Sequence, residues 1–127
     1  MFDKEKCTIV TNNSKVLEKY KDIMNIEMMN TYEEVLIKAR DLVYDRHKLL
    51  THPQAGSLKP NQTPYRSIIV YPSDNNSNID DVMMIEKAIE VFNKFKEIRQ
   101  TPQYDEKIAN DYKTIDLSMI DNVIPRI

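Results

Sequence analysis

From Arg46 to Ser73 the chain reads RHKLLTHPQAGSLKPNQTPYRSIIVYPS, a stretch without one acidic residue, closed by Asp45 and Asp74. It gathers both histidines (His47 and His52), the single glycine Gly56, the prolines Pro53, Pro60, Pro64 and Pro72, and the bases Arg46, Lys48, Lys59 and Arg66. These are the materials of an anion site. In Gly56-Ser57-x-Lys59 a glycine lets the backbone turn its N–H groups toward a ligand while a lysine supplies charge. Thr63 adds a hydroxyl, Arg66 a two-pronged donor, and Tyr65 a ring able to stack on a ligand. A rigid, proline-pinned connection accounts for the same residues without any ligand.

His52, between Thr51 and Pro53, is the candidate for hydrogen bonding or proton transfer, and if the protein is an enzyme His52 is its acid or base. The alternative is a turn histidine bonded to the backbone. His47 belongs at a helix C-terminus, where a cation complements the helix dipole, and is read as structural. No metal site is expected, because the histidine pair would need a third ligand and the segment holds no acid or cysteine. No cofactor is expected either: GxxxxGK[ST] is absent, and a dinucleotide fingerprint needs three glycines where the chain has one. Ser57 lacks a nucleophile-elbow context, and no nearby acid orients His52, so serine-histidine-acid chemistry is set aside.

The elements that must position these residues follow from periodicity. Residues 6–11, KCTIVT, form a β-branched run ending in Asn12-Asn13-Ser14, a buried strand followed by a helix N-cap. A short helix with Val16, Leu17 and Tyr20 on one side leads to a second strand around Ile26, Met28 and Met29. Thr31 and Glu34 then form a capping box ahead of a helix carrying Tyr32, Val35, Leu36, Ala39, Leu42 and Val43 at helical spacing. A third strand, Lys48 to Thr51, precedes the acid-free loop, and Ser67 to Tyr71 makes a fourth. Pro72 and the polar run SDNNSN end that strand. The longest helix runs from about Ile79 to Arg99, with an apolar arc wider than one contact surface requires. Either the C-terminal segment covers it, in a last helix starting at Thr101-Pro102 with Tyr104, Ile108, Tyr112 and Ile115 on its apolar side, or a symmetric homodimer contact does.

This order predicts one α/β domain over residues 1–127, a layered α/β/α fold with a small, mostly parallel four-stranded sheet, helices on both faces and a C-terminal helical pair. Strand one should lie between strands two and three. Ligands in such a sheet bind beyond the carboxyl ends of the strands, where the strand order reverses. Thr11, Asn12 and Asn13 from strand one and Thr51 and His52 from strand three are expected to share that rim, with the loop folded over it.

A net charge of −2 and a pI near 5.7 exclude a general nucleic-acid binder, whose contact face must be basic. No apolar run approaches a membrane span, and the opening MFDKEKC lacks the apolar core of a signal peptide, so a cytoplasmic protein is expected. Cys7 stands alone in a strand pattern and reads as a small buried hydrophobe.

The segment HKLLTHPQAGSLKPNQTPYRS, taken with TNN at 11–13 and RD at 40–41, resembles the GrdX family, small proteins associated with the glycine reductase system of amino-acid-fermenting anaerobes. The family's motif falls on Thr51, His52, Pro53, Gly56, Ser57, Lys59, Pro60, Thr63, Pro64 and Tyr65. The resemblance implies a metabolic context and glycine reductase components as partners; it implies no particular reaction. Just before His47 the chain departs from it, with Tyr44 and Arg46 where members of that family tend to carry a histidine and a glycine.

Overall fold

A computed structural model describes residues 2–55, 58–74 and 79–127. The strands are β1 (Thr8–Thr11), β2 (Asn25–Met28), β3 (His47–Leu49) and β4 (Ser67–Pro72), and the helices α1 (Ser14–Tyr20), α2 (Tyr32–Tyr44), α3 (Ile79–Ile98) and α4 (Glu106–Val123). Their order in the sheet is β2-β1-β4-β3. Three strands point the same way, as the two helical crossovers require, but β4 runs antiparallel and inserts between β1 and β3. The sheet is therefore mixed: β1–β2 is its parallel pair, and strand one touches strand three only through β4. The seventeen residues between β3 and β4, 50–66, leave room for the fourth strand to return in the opposite direction.

The sheet divides the apolar side chains by a period of two. Ile9 and Ile69 are register partners and face α1 and α4, in a cluster with Cys7, Val16, Tyr20, Ile120 and Ile124. Val10 and Ile68, the next partners, face α2 and α3 with Val35, Leu36, Ile85 and Ala88. Cys7 is fully buried, and burial pushes its thiol up, away from nucleophile character.

Local capping follows the sequence. Asn13 caps α1, its Oδ1 accepting from the Lys15 N–H at 3.0 Å, and Thr31 caps α2 by accepting from the Glu34 N–H at 3.1 Å. The Glu34 carboxylate reaches back one residue further than a capping box requires, to the Asn30 N–H at 2.9 Å. At the other end of α2 the chain turns through Arg46 at φ 57°, a left-handed position that favours glycine.

The C-terminal helices differ most from expectation. They do not pack as a pair, since α3 lies on one face of the sheet and α4 on the other. Helix α4 begins at Glu106 behind an Asp105 cap rather than at Thr101-Pro102. Its buried positions are Asp116 and Ile120, while Ile108 and Ile115 are 42% and 43% exposed. Part of the surplus arc of α3 faces the acid-free loop, whose Pro53, Leu58 and Pro60 line a chamber with Ala88, Val91 and Phe95, while Ile98 stays 76% exposed. Among the described residues no helix is long and apolar enough to cross a membrane.

Candidate functional site

At the carboxyl end of β1 the sequence TNN builds a buried polar knot. The Thr11 and Ser67 hydroxyls, register partners on β1 and β4, are 2.7 Å apart, and Ser67 Oγ donates to Asp116 Oδ2 at 2.7 Å. With Asp116 ionised, Ser67 spends its proton there and Thr11 donates to Ser67, while Thr11 Oγ1 accepts from the Asn13 N–H at 3.0 Å. Asn13 Nδ2 donates both to Asp116 Oδ2 at 3.0 Å and to the Lys113 carbonyl at 2.9 Å, which ties α4 to the strand exit. Burial pushes the Asp116 carboxyl above the usual carboxylate range, against the Asn13 and Ser67 hydrogen bonds and the Arg66 charge, which pull it down.

That raised value fixes the sign of a pH effect. A carboxyl whose folded pKa exceeds its unfolded one contributes stability that is fully present in acid and lost as pH rises through the folded value. The stability of wild type relative to Asp116→Asn is thus expected to be greatest in acid, to fall above the ordinary carboxylate value near 3.8, and to level off past the raised one. Denaturant melts of both proteins from pH 4 to pH 8 check this; a difference that widens in favour of wild type with rising pH contradicts it.

Asn12 fastens the end of the acid-free loop to the same edge. Its Nδ2 donates to the Pro64 carbonyl at 2.8 Å, and its Oδ1 accepts from the Arg66 N–H at 3.0 Å. Between these contacts Thr63, itself buried, accepts the Tyr65 N–H at 3.2 Å and closes a tight turn.

The chain thereby delivers Arg66 into the interior, 4% exposed. Its Nε donates to the Tyr32 hydroxyl at 3.1 Å and Nη1 to the Ala55 carbonyl at 2.6 Å, with the guanidinium 5.4 Å from the Tyr32 ring centre. Two of the five N–H donors of a guanidinium are so used. Among the described residues the remaining donors have no partner and the group makes no ion pair. Among the described residues no buried side-chain nitrogen is left unbonded, and Arg66 lines two cavities. Tyr32 accepts from Nε and keeps its own proton to donate. Its burial raises the phenol pKa against the lowering effect of Arg66, which holds the hydroxyl neutral.

The cavity above Arg66 is about 210 Å³, walled by Leu36, Pro53, Leu58, Ala88, Val91 and Phe95, with Lys59 also on its lining. Lys59 is exposed and its ammonium stands 5.7 Å from the Phe95 ring centre. A larger cleft of about 420 Å³ adjoins it across Tyr32 and Pro60 and reaches Asn12 and Tyr65. There Lys96 is paired with Glu33 at 3.4 Å, and Arg99 also lines the cleft.

The predicted rim is thus assembled in part. Thr11, Asn12, Asn13, Thr63, Tyr65 and Arg66 meet around the exit of β1. Thr51 spends its hydroxyl on the Ile69 N–H at 3.0 Å, continuing the β3–β4 edge. His52 does not join them: it is exposed, its Nδ1 accepts from the Gln54 N–H at 3.0 Å, and it borders a groove along Met83, Met84 and Glu90 of α3. The inserted β4 separates its strand from β1. His47 opens β3 rather than ending α2, and bonds through Nδ1 to the Asp45 carbonyl at 2.7 Å. Gly56 and Ser57 lie outside the described residues. Sequence reasoning missed Tyr32 and Asp116 as site residues. Asp116 had a signal, a lone carboxylate at i+4 from Tyr112 and i−4 from Ile120 on an otherwise apolar face; Tyr32 had none, since a tyrosine in a helical stripe reads as core.

A family model for GrdX-like protein matches residues 8–125. No curated protein and no solved structure matches the chain.

Proposed function

Since the chain belongs to the GrdX-like family, whose members are associated with glycine reductase, we propose that it is an accessory protein of that metabolism which binds an anionic small molecule under the loop 51–66. One observation carries the reading: a guanidinium 4% exposed, with uncommitted donors and no carboxylate bound to it among the described residues, lines a cavity. The Asp116 carboxylate is near enough to feel the Arg66 charge but makes no ion pair with it, and a bound anion adds the charge-assisted hydrogen bonds that the uncommitted donors lack. Lys59 at the lining adds attraction, and the neutral Tyr32 hydroxyl adds a donor. Thr11, Asn12, Asn13, Thr51, Thr63 and Tyr65 contribute by holding the loop and its return strand in place.

The test is calorimetry with phosphate, acetyl phosphate, nucleotides and glycine. Wild type is expected to bind at least one of the anions, and the Lys59→Ala, Arg66→Ala double variant to bind it roughly tenfold to a hundredfold more weakly, as loss of charge-assisted hydrogen bonds requires. Identical weak responses from both proteins contradict the proposal.

A second reading, docking on a reductase subunit, draws on Ile79 and Met83, successive turns of α3 that are 70% and 66% exposed. Recovery of a reductase component on the immobilised protein supports it. A homodimer that buries both residues counts against it.

A further inference from the structure

The chamber beside Arg66 is mostly apolar, and this bears on the class of anion. Its apolar walls are Leu36, Pro53, Leu58, Ala88, Val91 and Phe95, against Arg66, Tyr32, Gln54 and Lys59 as polar lining. A phosphate presents oxygens in every direction and would leave most of them facing hydrocarbon, where an unsatisfied polar atom is costly. A carboxylate presents two oxygens in one plane, which matches the planar fork of a guanidinium, and everything behind them can be apolar. The fork has its Nε and one Nη1 hydrogen taken by Tyr32 and Ala55. What remains is one hydrogen on Nη1 and two on Nη2, enough to hold both oxygens of a carboxylate.

Size sets the second limit. The chamber holds about 210 Å³, the room of roughly seven waters at about 30 Å³ each, which is below the usual range for drug-sized ligands. Resting on the anion-binding reading above, we infer that the site takes a short monocarboxylate with an apolar tail of a few carbons, its carboxylate on Arg66 and the Tyr32 hydroxyl, its tail along Leu36, Val91 and Phe95. Recognition is by the charge on Arg66 and by exclusion of water along the apolar walls.

The experiment is a calorimetric titration of the full chain with acetate, butyrate, hexanoate, decanoate and inorganic phosphate. Affinity is expected to rise roughly fourfold for each methylene buried, giving butyrate about a fifteenfold advantage over acetate, and to stop rising by decanoate, whose tail exceeds the chamber. A wall variant, Val91→Phe, which fills the tail space without touching the cation, should bring butyrate down to the level of acetate and leave acetate unchanged. Arg66→Met should abolish binding throughout the series. Equal affinities for acetate, butyrate and hexanoate overturn the inference while sparing the anion site, and so does phosphate as the tightest ligand. No response to any of the five overturns the inference together with the reading beneath it. The ligand series on wild type alone decides between these outcomes, even where a variant fails to fold.

Discussion

Asp116→Ala is expected to destabilise the protein by about 3 kcal/mol, a fall in melting temperature of about 10 °C for a chain of this size. Asp116 Oδ2 is the acceptor on which the Ser67 hydroxyl and the Asn13 amide converge, at 2.7 and 3.0 Å. Removing it leaves a buried hydroxyl and an amide hydrogen short of an acceptor, with a gap where α4 meets the exit of β1. Asp116→Asn should cost far less, because its Oδ1 can take both hydrogen bonds and the desolvated charge is gone. Denaturant midpoints measure the pair; an alanine variant within about 0.5 kcal/mol of wild type would show that the knot does not hold α4 to the sheet.

The second large effect is at Asn12. Its two hydrogen bonds, to the Pro64 carbonyl and from the Arg66 N–H, join the end of the loop to β1. Asn12→Ala leaves both backbone groups without those partners, a loss of about 2 kcal/mol, and frees the segment that positions the guanidinium. Anion affinity should fall with it, by roughly tenfold. Asn12→Asp keeps an acceptor for Arg66 but sets a carboxylate oxygen against the Pro64 carbonyl, so it should rescue neither stability nor binding. Aspartate behaving like asparagine would mean that the loop is held elsewhere.

The sequence made the local rules readable and left the long-range ones obscure. Thr31 announced α2, Asn13 announced α1, and the β-branched runs at 8–11 and 67–71 marked the two strands that proved fully central, because capping and strand propensity are decided by near neighbours. The direction of β4 was not readable. A connection of seventeen residues, 50–66, imposes no return direction, and an apolar strand suits either pairing. The buried face of α4 was misread because a carboxylate at Asp116 looks like solvent-facing sequence until its partners on β1 and β4 are known. His47 and His52 drew attention by residue type; among the described residues the His52 imidazole accepts the neighbouring Gln54 amide hydrogen. The acid-free segment leaves Arg66 no acid of its own loop to pair with, and the proposed anion site rests on that.

Nitrogen-15 spectroscopy of the arginine side chains during a butyrate titration locates the bound anion. The Nε and Nη resonances of Arg66 are expected to shift saturably, with the same midpoint as the calorimetric isotherm, while those of the exposed Arg99 and Arg126 stay fixed. Resonances of Arg66 that remain unmoved through a titration in which heat is released would place the anion elsewhere and contradict the account.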